Sequence, residues 1–263
     1  MTGMNIGGMT DRNLIICEKC HTPKQHIVEI MGKERKVMCL CKCEMEKKEA
    51  EEEKRRRQES IDKVKRMRKV GFPDADMRRM TFDMDDDKDG RISQIARKYV
   101  EKFDDMQSSG KGLLLYGSVG TGKTFISACI ANELISQGHP CLVTNFARLT
   151  NTISGMHEGK QEYMDSLDKF DLIVIDDLAS ERDTEYMGEM VQSIIDARYR
   201  AGKPLIVTTN LTSAELKRPS DIRKERIYSR LFEMCIPVEV IGKDRRKEKL
   251  KRDYVEFGDV LGF

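Results

Sequence analysis

The sequence predicts an α/β protein: a five-stranded parallel sheet organised around a phosphate-binding loop, preceded by a small zinc-binding domain and a helical linker. Three observations predict it. Residues 117–124 form a glycine-rich octapeptide between an apolar run and a helical stretch. Further apolar runs of strand length recur downstream, each separated from the next by sequence long enough for a crossover helix. Five of the eight cysteines crowd between Cys17 and Cys43.

The N-terminal cysteines come first. Cys17-x-x-Cys20 is followed by Cys39-Leu40-Cys41-Lys42-Cys43, with His21 and His26 between. Two close pairs of soft ligands on tight turns suit a tetrahedral structural zinc. Cys17, Cys20, Cys41 and Cys43 are the expected ligands and Cys39 the substitute. The stretch Ile27–Val37 alternates around a Gly-Lys turn and reads as a hairpin, too short to bury a core without the metal. Free thiols and an iron–sulfur cluster are the competing readings. Cys129, Cys141 and Cys235 lie singly in apolar segments and read as small core residues.

Glu46 to Arg57 is a charge run in which Glu51, Glu52 and Glu53 each precede an arginine by four residues, the favourable helical order. It reads as a solvated helix extending to about residue 69. Gly71-Phe72-Pro73 ends it and opens the next domain. The expected division is 1–45, 46–70 and 71–263. Asp83–Gly90 resembles part of a calcium loop but lacks the twelfth-position glutamate, so it reads as an acidic loop. Arg91–Met106 carries an apolar stripe and reads as one helix.

Gly117-Ser118-Val119-Gly120-Thr121-Gly122-Lys123-Thr124 fits G-x-x-x-x-G-K-[ST] at every fixed position. The run Gly112–Tyr116 before it reads as a buried strand and Phe125–Ile135 after it as a helix. Such a loop turns successive N–H groups toward a polyphosphate, with the helix dipole behind them. Lys123 reaches the β- and γ-phosphates and Thr124 takes Mg²⁺, so the expected ligand is ATP. Phe170–Asp177 is a strand ending in paired carboxylates. Asp176 is expected to hold Mg²⁺ and Asp177 to polarise the attacking water. Pro204–Asn210 is another buried strand, with Asn210 placed at its tip to hold the γ-phosphate or the water. Pro140–Thr144 and Ile236–Val240 complete five strands.

These residues together resemble the AAA+ ATPases, and in particular the bacterial replicative-helicase loaders of the DnaC/DnaI type. The resemblance rests on Gly112–Thr124, Asp176-Asp177-Leu178, Val207–Leu211, Arg226–Leu231, Gly71-Phe72-Pro73 and Met80-Thr81-Phe82, and covers nearly the whole chain. The cysteine knuckle with its charged helix is similar to the zinc-binding, helicase-contacting domain of DnaI-like and phage-encoded loaders. The resemblance implies Asn210 at sensor 1, Arg230 as an arginine finger acting on a neighbouring subunit, and Arg246 at sensor 2, with Arg245 as the other candidate. It implies a hexameric replicative helicase as partner, single-stranded DNA in the channel of a spiral or ring oligomer, and slow hydrolysis, since Asp177 stands where many relatives carry glutamate. Phe146 and Arg148 are the candidates for DNA contact by stacking and charge. A transposition-helper ATPase of the IstB type and a non-hydrolysing ATP-bound adaptor are the alternatives.

Composition bounds the rest. The chain has 263 residues and a formal charge of +2, from 47 basic and 45 acidic residues, so bulk charge does not argue for nucleic acid. No apolar run approaches the roughly 20 residues that span a bilayer. Met1–Gly7 lacks a charged, then apolar leader, which predicts a cytoplasmic protein.

Overall fold

The computed structural model describes residues 14–178 and 185–261; the expectation about a leader at Met1–Gly7 lies outside them. The chain divides into two compact units, ending at Lys63 and beginning at Val64.

In the first unit, strands β1 (Gln25–Ile30) and β2 (Lys33–Met38) pair antiparallel. Their two-residue turn is Met31-Gly32 rather than Gly-Lys, with φ of 53° and 73°. Two successive left-handed residues make the turn whose twist matches the strands, and glycine takes the second at no steric cost. Helix α1 runs Lys42–Gly71. It begins on a brace: the Glu44 carboxylate accepts the Cys41 N–H at 3.1 Å and the Lys24 ammonium at 2.7 Å. Those two donors hold the Glu44 carboxyl down to about 2. Along the helix Glu52 pairs with Arg55 and Arg56, while Glu51 takes Lys47.

The second unit is a parallel sheet with helices on both faces. Its strands are β3 (Gly112–Tyr116), β4 (Cys141–Asn145), β5 (Leu172–Leu178), β6 (Leu205–Thr209) and β7 (Cys235–Glu239), in the order β4-β5-β6-β3-β7. Every pairing is parallel. The interior strands are mostly apolar because both faces are covered, and alternate residues enter different cores, whereas the edge strand β7 leaves Ile236 and Pro237 exposed. Leu113, Leu115, Leu172, Val174 and Ile206 pack on one side, with Phe72 and helices α2 (Arg91–Glu101), α3 (Phe103–Ser109) and α4 (Lys123–Ser136). Leu114, Ile173, Ile175, Leu205 and Val207 pack on the other, with α5 (Phe146–Ser154), α7 (Glu185–Arg200) and α9 (Ile222–Met234). The short helices α6 (Lys160–Ser166) and α8 (Ser213–Lys217) and the last helix, α10 (Arg245–Leu261), complete it.

The expected single helix 91–106 is two. At Lys102 the backbone leaves the helical basin (φ −105°, ψ 23°), and Phe103 turns in to meet His139 edge-on at 4.9 Å. Cys129, Cys141 and Cys235 are buried in this unit, and burial pushes the Cys129 and Cys235 thiols up to about 12. No helix among the described residues is long and apolar enough to cross a membrane.

Candidate functional site

The octapeptide links the C-terminal end of β3, an interior strand paired with β6 and β7, to the N-terminus of α4, at the end of a parallel sheet where ligands bind. Gly117, Gly120 and Gly122 take φ of 135°, 80° and 98°, so the loop can wrap inward only because they lack side chains. A Cβ on Gly120 would in addition collide with the Asp244 carboxylate. Ser118 accepts from the Thr121 hydroxyl at 3.0 Å, which closes the loop beside Val119. The Lys123 ammonium lies folded along it, donating to the Gly117 and Ser118 carbonyls at 2.8 and 2.6 Å. Burial pushes its pKa below the ordinary lysine value; Asp177 and Asp176 oppose that, and Arg246 adds to it. An ammonium so placed, two loop carbonyls its partners, can turn to a bound polyphosphate without crossing solvent.

Both carboxylates come from the end of β5. Thr124 Oγ1 lies 2.9 and 3.0 Å from the two oxygens of Asp176, placing hydroxyl and carboxylate side by side as an Mg²⁺ site requires. Thr208 donates to the same carboxylate at 2.6 Å. Asp177 is left-handed, with φ 62°, and its carboxylate accepts from the Asn210 amide at 2.8 Å. Thr124, Asp176, Asp177 and Asn210 are therefore brought together at one sheet end, with Lys123 beside them.

The arginines separate. Asp244 caps α10, accepting the Arg246 and Lys247 N–H groups at 3.0 and 3.2 Å, and the Arg245 N–H donates to the Gly120 carbonyl at 2.9 Å. The helix thus starts on the phosphate loop. Arg245 turns its guanidinium to Asp86 at 2.8 Å and toward buried Asp85 at 3.7 Å. Arg246 is exposed and close enough to Lys123 to act on its charge. Arg230 sits elsewhere, on α9: its Nε lies 2.8 Å from Asp196 and its guanidinium stacks on Tyr199 at 4.5 Å. Phe146 is 1 % exposed and belongs to the core, so it has no face to offer a base. Phe146 is the first residue of α5, and the apolar stripe of that helix, with Leu149 and Ile153, faces the sheet. Arg148 remains exposed.

In the first unit the sulfurs of Cys17, Cys20, Cys41 and Cys43 all lie within 4.8 Å of one another. Cys43 is 3.7 Å from Cys17 and 3.3 Å from Cys41. Four thiolates around a tetrahedral zinc at about 2.3 Å stand about 3.8 Å apart, so the set fits that ion in number, type and spacing. Cys39 points away to the Pro23 carbonyl. The Thr22 hydroxyl, 3.0 Å from Cys20, holds that thiol down to about 5.

Sequence reasoning missed three participants: Thr208, Asp244 and the Asp85–Asp86 pair. Thr208 had a signal, since a hydroxyl in an otherwise apolar buried strand needs a partner. The acidic loop had none, because its partner Arg245 is remote in sequence.

The family model described as "IstB-like ATP binding protein" matches residues 34–252. Replicative helicase loader DnaC of Escherichia coli K12 is 28% identical over 140 residues, 52% of this chain and 55% of that protein. Replicative helicase loader DnaI of Bacillus subtilis 168 is 22% identical over 199 residues, 70% of this chain and 64% of that protein. The chain thus spans between half and two thirds of the length of these relatives. A crystal structure of DnaI superposes with a TM-score of 0.55 at 26% identity, covering 69% of this chain and 100% of that one.

Proposed function

This chain belongs to the IstB-like ATP-binding protein family, and on that premise we propose that it is an ATP-dependent helicase loader. In this reading it binds a hexameric replicative DNA helicase through residues 1–45, spaced by a linker at 46–70. Residues 71–263, an AAA+ ATPase, help place the helicase on single-stranded DNA. The observation that carries the ATPase half is the run of hydrogen bonds from Thr124 through Asp176 and Thr208 to Asp177 and Asn210. It brings a phosphate loop, a metal-holding carboxylate and a water-orienting carboxylate to one place. The loader half is supported by the names of the relatives and by the four-cysteine unit. That unit also favours it over a transposition helper, which shares the nucleotide core.

The site residues take these roles. Gly117 to Gly122 offer backbone N–H groups to the phosphates, and Lys123 offsets their charge. Thr124 and Asp176 would hold Mg²⁺, which supplies charge neutralisation on the β- and γ-phosphates. Asp177 orients and polarises the attacking water, with Asn210 fixing its carboxylate. The aspartate is one methylene shorter than glutamate, which places its oxygens farther from the water and suits slow hydrolysis.

Arg246 serves as sensor 2 and Arg245 anchors the helix. Arg246→Ala is expected to weaken ATP binding about tenfold while sparing ADP, since one charge-assisted contact to the γ-phosphate is lost. Arg245→Ala is expected to spare that discrimination and to lower stability by about 1 kcal/mol, because buried Asp85 loses its cation. Titration with both nucleotides and a melting curve separate the two; the opposite assignment reverses the result.

Arg230 acts as a finger across the interface of a spiral or ring oligomer. Arg230→Ala should keep monomer nucleotide affinity and lose hydrolysis stimulated by DNA or assembly by about 10³-fold. A defect that persists at dilutions where the protein is monomeric would place Arg230 in its own subunit's site. The overall reading is tested by capture of a hexameric replicative helicase with the full chain and with residues 1–70. Capture by neither sinks the loader reading.

A further inference from the structure

Strands β5 and β6 pair in register from Ile173–Leu205 to Ile175–Val207, and then slip. Leu178 stands opposite Thr209, so the three-residue step from Ile175 to Leu178 faces a two-residue step from Val207 to Thr209. One extra residue is inserted at the two carboxylates, opposite Thr208. This is a β-bulge, which re-aims a side chain at the cost of an irregular backbone. Its irregular member is Asp177, whose φ of 62° is a conformation that side-chain-bearing residues keep only where the surroundings hold them.

Thr208 stands where it can hold it. The side chain is buried, with the residue 2 % exposed. Its Oγ1 accepts the Asp177 N–H at 2.9 Å and donates to Asp176 Oδ1 at 2.6 Å. One hydroxyl thus uses its proton on the first carboxylate and a lone pair on the backbone of the second. Thr209 secures the far side of the bulge, its hydroxyl donating to the Leu178 carbonyl at 2.9 Å. With the backbone N–H fixed, the Asp177 side chain leaves the strand toward Asn210, 2.8 Å away.

We propose that Thr208 is a positioning residue for hydrolysis: its hydroxyl clamps the left-handed Asp177 backbone across the β5 bulge and so aims the Asp177 carboxylate. The inference rests on the proposed role of Asp177. It adds a residue that acts through another, by way of the Asp177 N–H.

The test is a double-mutant cycle in the full chain. Thr208→Val keeps shape and removes the hydroxyl. It is expected to lower kcat about tenfold or more, since small misplacements of a catalytic group cost up to about 100-fold, and to leave nucleotide affinity within about twofold. Thr208→Ser restores the hydroxyl and is expected to recover most of the rate. In an Asp177→Asn background, where aim no longer matters, Thr208→Val is expected to change kcat by less than about twofold. An equal fold-loss in both backgrounds, or recovery of Thr208→Val at saturating Mg²⁺, overturns the proposal; the latter would mean that Thr208 acts through Asp176. If Thr208→Val fails to bind nucleotide, Thr208→Ala runs the same cycle with a smaller side chain. An Asp177→Asn variant that hydrolyses like the parent defeats the reading of Asp177 instead, so the two failures are distinguishable.

Discussion

Replacing Lys123 with alanine is expected to abolish measurable ATP binding. Lys123 is 6 % exposed, and its ammonium sits on the Gly117 and Ser118 carbonyls, inside the loop that would surround the phosphates. Asp176 and Asp177 lie near enough to act on its charge. Without the lysine those two carboxylates confront a polyphosphate with one cation fewer, in surroundings where charge is poorly screened. Loss of a charge-assisted contact costs about 1.5–3 kcal/mol, and the unrelieved repulsion adds to it. A drop in affinity of about 100-fold or more is the expected result. The fold should survive, since the ammonium holds only two loop carbonyls. Titration of a fluorescent ATP analogue checks this, and undiminished binding would end the nucleotide assignment.

Removing a zinc ligand is expected to separate the two units. Cys17→Ser or Cys43→Ser should release the metal and unfold the first unit, since β1 and β2 are a lone hairpin whose second strand is exposed along its length. A hairpin of that kind is marginal in water, and a structural zinc supplies folding free energy of about 10–16 kcal/mol. Helicase capture should be lost with it. The unit from Val64 onward has its own two-sided core and should keep nucleotide binding. Cys39→Ser should be tolerated, because its thiol lies outside the cluster. Since the ligands must shed protons to coordinate, zinc affinity should fall as pH drops. Elemental analysis is decisive: a clean preparation without zinc, or with iron and sulfide, refutes the zinc assignment.

Much of the molecule was legible in the chain because its signals are local. The octapeptide carries its own geometry: three glycines where φ is positive, a lysine at the helix start and a strand before it. The four strand-forming runs downstream are largely apolar, three of them because their strands are covered on both faces, and their boundaries shifted by only one or two residues. The cysteine pairs announced a four-thiol cluster by type and spacing, and the structure brings Cys17, Cys20, Cys41 and Cys43 together. Phe146 shows the limit of such reading. An aromatic followed by a cation after a strand looks the same whether it faces DNA or the core, and only the packing of α5 against the sheet put it inside.

The sequence by itself determined the phosphate loop, the parallel sheet and the cysteine knuckle, since each depends on residues near one another in the chain or on a period along it; which four of the five thiols cluster was left to the structure. Tertiary structure decided what depends on meetings between distant segments. Asp85 and Asp86, some 159 residues of chain before it, claimed Arg245 and left Arg246 near Lys123. The pairing of β5 with β6 inserted a bulge at Asp177 and set Thr208 beneath it. No local pattern encodes a bulge, because its extra residue exists only relative to the neighbouring strand.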